Sequence, residues 1–223
     1  MNNLKILIPA RGGSKRIPNK NLVDCNGKPL IHFTLKESLA SNLTNEIFVS
    51  TDSREIIEFC INYPIKFIKR PANISTDEST TDEAIAHFVE KECRKEDFII
   101  LLQPTSPLRS SKDIISAFEL FQNRKQTVIS MVRPIFHPAK SVILENGECK
   151  PWSNYKFSVR SQDLPDILSL NGAIYVFSVK DFLENNSIPK RFIPYIMPFE
   201  RSIDIDNLEE LNLVKKLMDK VDL

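Results

Sequence analysis

Four cations surround a pair of glycines in the stretch LIPARGGSKRIPNKNL, at residues 7–22. The cations are Arg11, Lys15, Arg16 and Lys20, and the glycines are Gly12 and Gly13. Glycines let backbone N–H groups approach an oxygen closely, and clustered Arg and Lys side chains balance the charge of a polyphosphate. The stretch also follows an apolar run, and ligands of open α/β sheets bind beyond the carboxyl ends of strands. These features favour an anion site, with a solvated basic turn as the alternative.

Two carboxylates alternate with apolar residues in the stretch SIDID, at residues 202–206. In an extended backbone this alternation places Asp204 and Asp206 on one side. Carboxylates that share a face repel each other unless a cation lies between them, and Mg²⁺ bound by carboxylates and phosphate oxygens is the usual arrangement in phosphoryl-transfer sites. Alternatively, Asp206 caps the final helix with Glu209 three residues later, although capping does not explain Asp204.

A polar turn, QPTSPLR at residues 103–109, follows the most apolar run of the chain at residues 98–102. A strand of such continuous apolarity is expected at the centre of a sheet, covered on both faces. The turn beyond it would then lie in the same crevice as residues 11–20. The two prolines suit a rigid connection equally well, so ligand contact and plain connection are both open.

An alternation of strands and helices must position these stretches. Apolar runs predict strands at residues 4–8, 47–49, 66–69, 98–102, 127–132, 173–177 and 192–197, and helical spacing predicts helices at residues 30–39, 54–61, from 81 onward, around 114–121 and 207–221. Thr80 and Glu83 have the spacing of a capping box at the start of the third helix. The alternation implies βαβ units, and therefore an α/β fold with a mostly parallel sheet sandwiched by helices.

Residues 134–170 interrupt this alternation. They contain prolines, Trp152 and polar residues without clear periodicity. The segment is too long for a structureless loop in a compact domain. We therefore predict a single domain over residues 1–223, with residues 134–170 as an inserted subdomain or dimerisation arm.

Composition restricts the class of protein. A chain of 223 residues with a formal net charge of +1 gives no bulk attraction to nucleic acid or to an anionic membrane surface. No segment approaches the roughly 20 apolar residues that span a bilayer. The four cysteines show neither a CxxC pair nor metal-site spacing with histidine. These features indicate a reduced, cytoplasmic protein.

Several stretches together carry a family resemblance. They are IPARGGSKRIPNKNL, GKPLI, VSTD, RPANISTDESTTD, LLQPTSPLR, HPAK, NGAIY and SIDID, spread over residues 8–206. In this order they resemble the N-acylneuraminate cytidylyltransferases, or CMP-sialic acid synthetases. The resemblance implies a nucleotide-diphospho-sugar transferase (Rossmann-like) fold and a homodimer in which the arm reaches the partner. The implied reaction is CTP plus N-acylneuraminate giving CMP-N-acylneuraminate and pyrophosphate.

The resemblance also implies roles for individual residues. The expected nucleotide-binding residues are Arg11, Gly12, Gly13, Ser14, Lys15, Lys20, Asn21, Arg70 and Thr81. The expected sugar-binding residues are Gln103, Thr105, Ser106, Lys140 and Tyr175. Asp204 and Asp206 are the implied ligands of a Mg²⁺ cofactor, and they form the catalytic set together with Arg11 and Lys20.

Two departures from the family pattern concern the sugar. Members often have arginines at two positions where this chain has Ser161 and Ser169. At the first of these positions, Arg160 lies one residue earlier. The nucleotide half of the assignment is unaffected, and a relative such as legionaminic acid becomes an alternative substrate. From another class, the alternative is a non-catalytic nucleotide-binding regulatory protein. The presence of both aspartates, Arg11, Lys20 and Gln103 favours the enzyme.

Overall fold

The computed structural model describes residues 3–219 as a central sheet with helices on both faces. The strands are β1 (Leu4–Pro9), β2 (Asp24–Cys25), β3 (Lys28–Pro29), β4 (Ile47–Thr51), β5 (Lys66–Lys69), β6 (Phe98–Leu101), β7 (Val128–Val132), β8 (Val142–Glu145), β9 (Glu148–Pro151), β10 (Ser169–Ser178) and β11 (Ile193–Ile196). The helices are α1 (Leu30–Ala40), α2 (Arg54–Cys60), α3 (Thr81–Glu92), α4 (Ser111–Arg124), α5 (Val179–Asn185) and α6 (Leu208–Met218).

Seven strands form the central sheet, in the order β11-β7-β10-β6-β1-β4-β5. Strand β10 runs antiparallel to both of its neighbours, and the other pairs are parallel. The predicted mostly parallel α/β sheet is therefore confirmed, and β6 lies at its centre as its continuous apolarity indicated. The predicted end of the last helix at residue 221 lies outside the described residues.

Alternating residues of β1 explain why helices cover both faces. Ile6 and Ile8 are fully buried in a cluster with side chains of α1, α2 and α4. Leu7 points the other way, into a cluster with α3 and α5. Successive side chains of a strand lie on opposite faces, so an uninterrupted apolar strand requires two apolar layers. Burial of each such side chain contributes about 1.5–3 kcal/mol to folding.

The parallel strands β1, β4, β5 and β6 bring their carboxyl ends to one edge of the sheet. The cation-rich loop follows β1 at this edge. Arg70 follows β5 there, and the turn that begins at Leu102 follows β6. The predicted capping box forms at Thr80 and Glu83 and starts α3 beside them. The topology thus gathers the polar segments that the sequence singled out.

Residues 134–170 contain a two-stranded antiparallel hairpin of β8 and β9, separate from the central sheet. Its turn has Asn146 and Gly147 at positive φ, as the commonest two-residue hairpin turn requires. Every residue of both strands is exposed. No helix within residues 3–219 is long and apolar enough to cross a membrane.

Candidate active site

A cleft of about 480 Å³ opens at the carboxyl edge of the sheet. This volume lies within the range of roughly 300–1,000 Å³ that is common for small-molecule sites. The cleft brings together twelve of the residues that the sequence predicted for a site: Arg11, Gly13, Ser14, Lys15, Lys20, Asn21, Arg70, Thr81, Gln103, Thr105, Asp204 and Asp206. They come from four segments that are far apart along the chain.

Asp77 binds two of the four loop cations. Its Oδ1 atom lies 2.7 Å from Nη1 of Arg11, and its Oδ2 atom lies 3.4 Å from Nζ of Lys15. The hydrogen bond from Arg11 is the main reason that the pKa of the Asp77 carboxyl is lowered. Asp77 lines the cleft and was not among the residues predicted for the site. Its acidic neighbourhood, STDES, gave no pattern that links it to Arg11.

Asp206 binds the other two loop cations. Its Oδ2 atom lies 2.8 Å from Nη1 of Arg16, and its Oδ1 atom lies 3.2 Å from Nζ of Lys20. Burial alone would raise the pKa of Asp206, but hydrogen bonds and charge from Lys20 and Arg16 outweigh it and lower the pKa. Lys20 also donates to the carbonyl oxygen of Ile205 at 3.0 Å. The cation loop and the acidic segment are therefore in direct contact.

Asp204 has a different environment in the same cleft. Burial is the main cause of its raised pKa, opposed by a hydrogen bond from Thr105 and reinforced by the charge of Asp206. Its Oδ1 atom is buried and has no hydrogen-bond partner within the described part of the chain. A buried oxygen acceptor without a donor, beside a second carboxylate, fits a hard cation such as Mg²⁺.

Within residues 3–219, no group of three or more His, Cys, Asp or Glu side chains is arranged to hold a metal ion. A cation held by Asp204 and Asp206 would therefore take its remaining ligands from groups other than a further His, Cys, Asp or Glu side chain. Mg²⁺ commonly binds in this way, with one or two carboxylates plus substrate phosphates and water.

Hydrogen bonds at three places hold the acidic segment in position. Before it, the guanidinium of Arg201 donates two hydrogen bonds of 2.9 Å to the buried carboxylate of Asp113. In its middle, the backbone N–H of Ile205 donates to the carbonyl oxygen of Thr105 at 2.8 Å. At its end, the backbone N–H of Asp206 donates to the carboxylate of Glu210, in the first turn of helix α6. The positions of both aspartates are thus determined by contacts with α4 and with the turn after β6.

The alternative in which Asp206 caps the last helix is wrong. The N-cap of α6 is Asn207, whose side-chain oxygen accepts the N–H of Glu210, and Glu210 completes the capping box. Helix α6 begins one residue later than that alternative required. The side chain of Asp206 is consequently available to the cleft, and its backbone N–H donates to Glu210.

Gly172 allows β10 to pass close to the site. The register between β10 and β7 shifts between Leu170 and Tyr175, and Gly172 has a φ of +71°. A Cβ atom there would lie 3.0 Å from Oε1 of Gln103 and 3.1 Å from Oδ2 of Asp204. The Asn-Gly dipeptide was a weak signal in the sequence, because dipeptides of this kind mark many ordinary turns.

Arg70 and Asn21 are held by backbone acceptors. Arg70 is 5% exposed and donates to the carbonyl oxygen of Ser50 at 2.9 Å and to its hydroxyl at 3.2 Å. Burial lowers the pKa of its guanidinium. The side-chain amide of Asn21 donates to the carbonyl oxygen of Arg11 at 2.8 Å. Both side chains line the cleft in fixed orientations.

Four predicted site residues do not line the cleft. The N–H of Gly12 donates to Oδ1 of Asp52 at 2.9 Å. Ser106 is buried, and Tyr175 lies on β10. Lys140 donates a hydrogen bond to Ser161, within residues 134–170. Burial, and to a lesser extent the charge of Asp204, raise the pKa of Tyr175. The ligand-binding roles of these four residues stay predictions.

Arg109 is a buried cation that holds the turn after β6. Its guanidinium donates to the carbonyl oxygens of Gln103 at 3.2 Å and Ala173 at 2.8 Å, and to the hydroxyl of Thr34 at 2.7 Å. Burial lowers its pKa to about 10. The sequence indicated only a polar turn here. In the structure the Arg109 guanidinium connects β10, α1 and the turn that carries Gln103.

The chain is similar in sequence to known cytidylyltransferases. A family model described as Cytidylyltransferase matches residues 5–165. The chain is 32% identical to the pseudaminic acid cytidylyltransferase of Campylobacter jejuni, over 97% of the chain and 96% of that protein. It is 33% identical to the CMP-N,N'-diacetyllegionaminic acid synthase of Legionella pneumophila, over 96% of the chain and 95% of that protein. It is 32% identical to the N-acylneuraminate cytidylyltransferase of Escherichia coli, over 97% of the chain and 54% of that protein.

The fold of the chain is similar to that of a solved structure. A CMP-2-keto-3-deoxy-manno-octonic acid synthetase complexed with CTP has a TM-score of 0.73 to this chain, at 20% identity, over 99% of this chain and 100% of that one. This similarity confirms the nucleotide-diphospho-sugar transferase fold. The resemblance that the motifs carried is confirmed as well. Together with the family match and the full-length relatives, these findings show that the chain is a nucleotidyltransferase and belongs to the cytidylyltransferase family.

Proposed function

We propose that the protein transfers CMP from CTP to a 2-keto nonulosonic acid. The anomeric hydroxyl oxygen of the sugar bonds to the α-phosphorus and loses its proton to solvent, the bond from that phosphorus to the bridging α–β oxygen breaks, and pyrophosphate leaves. The observation that carries the proposal is the contact of Lys20 and Arg16 with Asp206 in a cleft that also holds Arg11. Cations for a triphosphate and carboxylates for a divalent ion thus lie side by side.

The loop cations bind the anionic part of the nucleotide. Arg11, Lys15, Arg16 and Lys20 neutralise the triphosphate and stabilise the charge that develops on the departing pyrophosphate. Arg11 is positioned for this role because Asn21 binds its carbonyl oxygen. The base and ribose are assigned to Asn21, Arg70 and Thr81, which line the cleft beside the loop.

Asp204 and Asp206 would hold a Mg²⁺ ion. When bound, the ion would reduce the charge of the triphosphate and favour the ionised form of the attacking hydroxyl. Asp206 offers a carboxylate that stays ionised, because Lys20 and Arg16 lower its pKa against the effect of burial. Asp204 offers an oxygen that has no partner within the part of the chain that the structure describes.

The sugar is assigned to the side of the cleft formed by Gln103 and Thr105. Ser106, Lys140 and Tyr175, which do not line the cleft, are assigned to the sugar by the family resemblance alone. Gln103 and Thr105 line the cleft next to Asp204. N-acylneuraminate is the first candidate, and legionaminic acid is the alternative because Ser161 and Ser169 replace arginines common in the family. The names of the relatives support this class of acid, since they refer to pseudaminic, legionaminic and N-acylneuraminic acids.

Pyrophosphate release from CTP tests the proposal directly. The protein is incubated with Mg²⁺ and, separately, with N-acetylneuraminate, legionaminate, pseudaminate and 3-deoxy-manno-octulosonate. We expect release with at least one of the three nine-carbon acids and faster release than with the eight-carbon acid. Binding of CTP without release from any acid would instead support a non-catalytic nucleotide-binding protein.

We further infer that the protein is a cytoplasmic homodimer, joined through residues 134–170. Phe136, Leu144 and Trp152, all within this segment, are 85%, 71% and 65% exposed. Several exposed large apolar side chains in one segment favour an interaction surface. We expect the wild type to sediment as a dimer. The double variant Leu144→Lys/Trp152→Lys should sediment as a monomer. Leu213→Lys, at an exposed position of α6 outside residues 134–170, is the control and should leave the dimer intact. A wild-type monomer would contradict this assignment.

A further inference from the structure

A tight turn presents two carboxylates to the wall of the cleft that faces the cation loop. The N–H of Ser79 donates to the carbonyl oxygen of Thr76 at 3.2 Å, and the N–H of Thr76 donates to the hydroxyl of Ser79 at 3.0 Å. The two hydroxyl groups are also 3.0 Å apart. Asp77 and Glu78 occupy the two central positions of this turn, and both line the cleft.

Hydrogen bonds hold the turn at both ends. Before it, the hydroxyl of Ser75 donates to the carbonyl oxygen of Pro71 at 2.9 Å. After it, Thr80 and Glu83 form the capping box that starts α3. A carboxylate at the tip of a turn held in this way keeps its place beside the cleft even when its own ion pairs are broken.

The carboxylate of Asp77 binds the same cations that the proposed function assigns to the triphosphate. It lies 2.7 Å from Arg11 and 3.4 Å from Lys15. A triphosphate that binds these cations competes with Asp77 for them. The carboxylate then lies near the nucleotide, within the screening length of roughly 8–10 Å, so the two repel each other.

We propose that Asp77 makes the cleft select the metal-complexed nucleotide over free CTP. The proposal rests on the proposed function, because it needs the triphosphate to lie against Arg11 and Lys15. Free CTP carries two more negative charges than its Mg²⁺ complex, and repulsion by a fixed carboxylate grows with the charge of the ligand. Asp77 therefore weakens binding of free CTP more than binding of the complex. Metal-free CTP cannot react, and because of Asp77 it occupies the cleft a smaller fraction of the time.

Calorimetric titration of CTP tests this selectivity without measuring turnover. The wild type, Asp77→Asn and Asp77→Ser are titrated with CTP in excess EDTA and, separately, in excess Mg²⁺. We expect both variants to bind metal-free CTP about three- to tenfold more tightly than the wild type. Their dissociation constant for the Mg²⁺ complex should fall by a smaller factor, about two- to threefold, since the complex carries about half the charge of free CTP.

Glu58→Gln controls for the change in net charge. Glu58 is exposed on α2 and pairs only with Arg54 among the residues described here, outside the cleft. This variant should keep the wild-type ratio of the two dissociation constants. Melting temperatures close to that of the wild type would show that each variant is folded.

Two results would overturn the inference while leaving the proposed function intact. In the first, the wild type binds CTP and the Asp77 variants keep its ratio of affinities. In the second, the variants bind both forms more weakly, which would mean that Asp77 serves to position Arg11. If the wild type binds CTP neither with nor without Mg²⁺, the proposed function fails and the inference fails with it.

Discussion

The ammonium group of Lys20 lies 3.2 Å from Oδ1 of Asp206, which joins two segments 186 residues apart in the sequence. Arg16 binds the other oxygen of the same carboxylate at 2.8 Å. A carboxylate that turns toward a divalent ion gives up part of its contact with these two cations. Metal bound at Asp206 would therefore leave Lys20 and Arg16 freer to interact with the triphosphate. The metal ion and CTP should consequently strengthen each other's binding.

The first prediction concerns Asp206. Asp206→Asn removes a charge that, under the proposed function, helps to hold the metal, and we expect pyrophosphate release at saturating CTP to fall by at least about 100-fold. The melting temperature should change little, because the side chain is half exposed and such ion pairs contribute roughly 0–1 kcal/mol. Glu209→Gln, an exposed acid in the first turn of α6, is the control and should keep its activity. Near-normal turnover of Asp206→Asn with Mg²⁺ would remove Asp206 from the metal site.

The second prediction concerns Arg11. Arg11→Ala removes a cation that, under the proposed function, contacts the triphosphate and the departing pyrophosphate, so the rate at saturating CTP should fall about 100- to 1,000-fold. Thermal unfolding should be almost unchanged. The matched control is Arg54→Ala, which also breaks an ion pair, with Glu58 on the surface of α2. A wild-type rate for Arg11→Ala would exclude the loop from the mechanism.

The third prediction separates backbone strain from crowding of the site. Gly27 and Gly172 both have positive φ, but a Cβ meets nothing within 4 Å at Gly27, whereas at Gly172 it meets Gln103 and Asp204. Either change to Ala should cost about 1–2 kcal/mol of folding free energy. Only Gly172→Ala should also lower kcat/KM, by at least about tenfold, because Gln103 and Asp204 must shift. Equal kcat/KM values for the two variants would show that the close approach of β10 has no catalytic role.

The sheet was predictable because its signals are local. Continuous apolarity marked β6 as central, alternating strands and helices indicated parallel pairing, and the spacing of Thr80 and Glu83 marked the start of α3. Parallel pairing then places the ends of β1 and β6 at the same edge. The meeting of the cation loop with the turn after β6 therefore followed from the sequence.

The ion pairs of the site were not predictable, because they depend on distances between remote segments. Nothing in the stretch STDES indicates that Asp77 lies against Arg11, since acidic turns are usually solvated. The pair of Asp113 and Arg201 is equally invisible in the sequence, although it holds the segment that carries Asp204. The start of α6 was misplaced by one residue because Asp206 and Asn207 are both good N-caps, and the tertiary contacts of Asp206 favour Asn207.

The fourth prediction concerns stability in acid. Burial would raise the pKa of Asp113, but hydrogen bonds from Arg201 and Ser110 and the charge of Arg201 lower it below the ordinary value of 3.8. A lowered pKa in the folded state means that Asp113 stabilises the protein above about pH 4. This stabilisation disappears as the pH falls through the folded-state value.

Asp113→Asn should therefore lower the free energy of unfolding by about 2–3 kcal/mol at neutral pH. The difference from the wild type should shrink below about pH 4, as measured by urea unfolding at a series of pH values. A difference that is independent of pH down to the acid transition would contradict the assignment of the lowered pKa to this pair.

The most direct test of the account is calorimetric titration of CTP into the wild type and into Asp204→Asn/Asp206→Asn, each with Mg²⁺ and with EDTA. We predict that Mg²⁺ strengthens CTP binding to the wild type by at least about tenfold and has little effect on the double variant. Equal CTP affinity of the wild type with and without Mg²⁺ would contradict the account, as would an undiminished Mg²⁺ effect in the double variant.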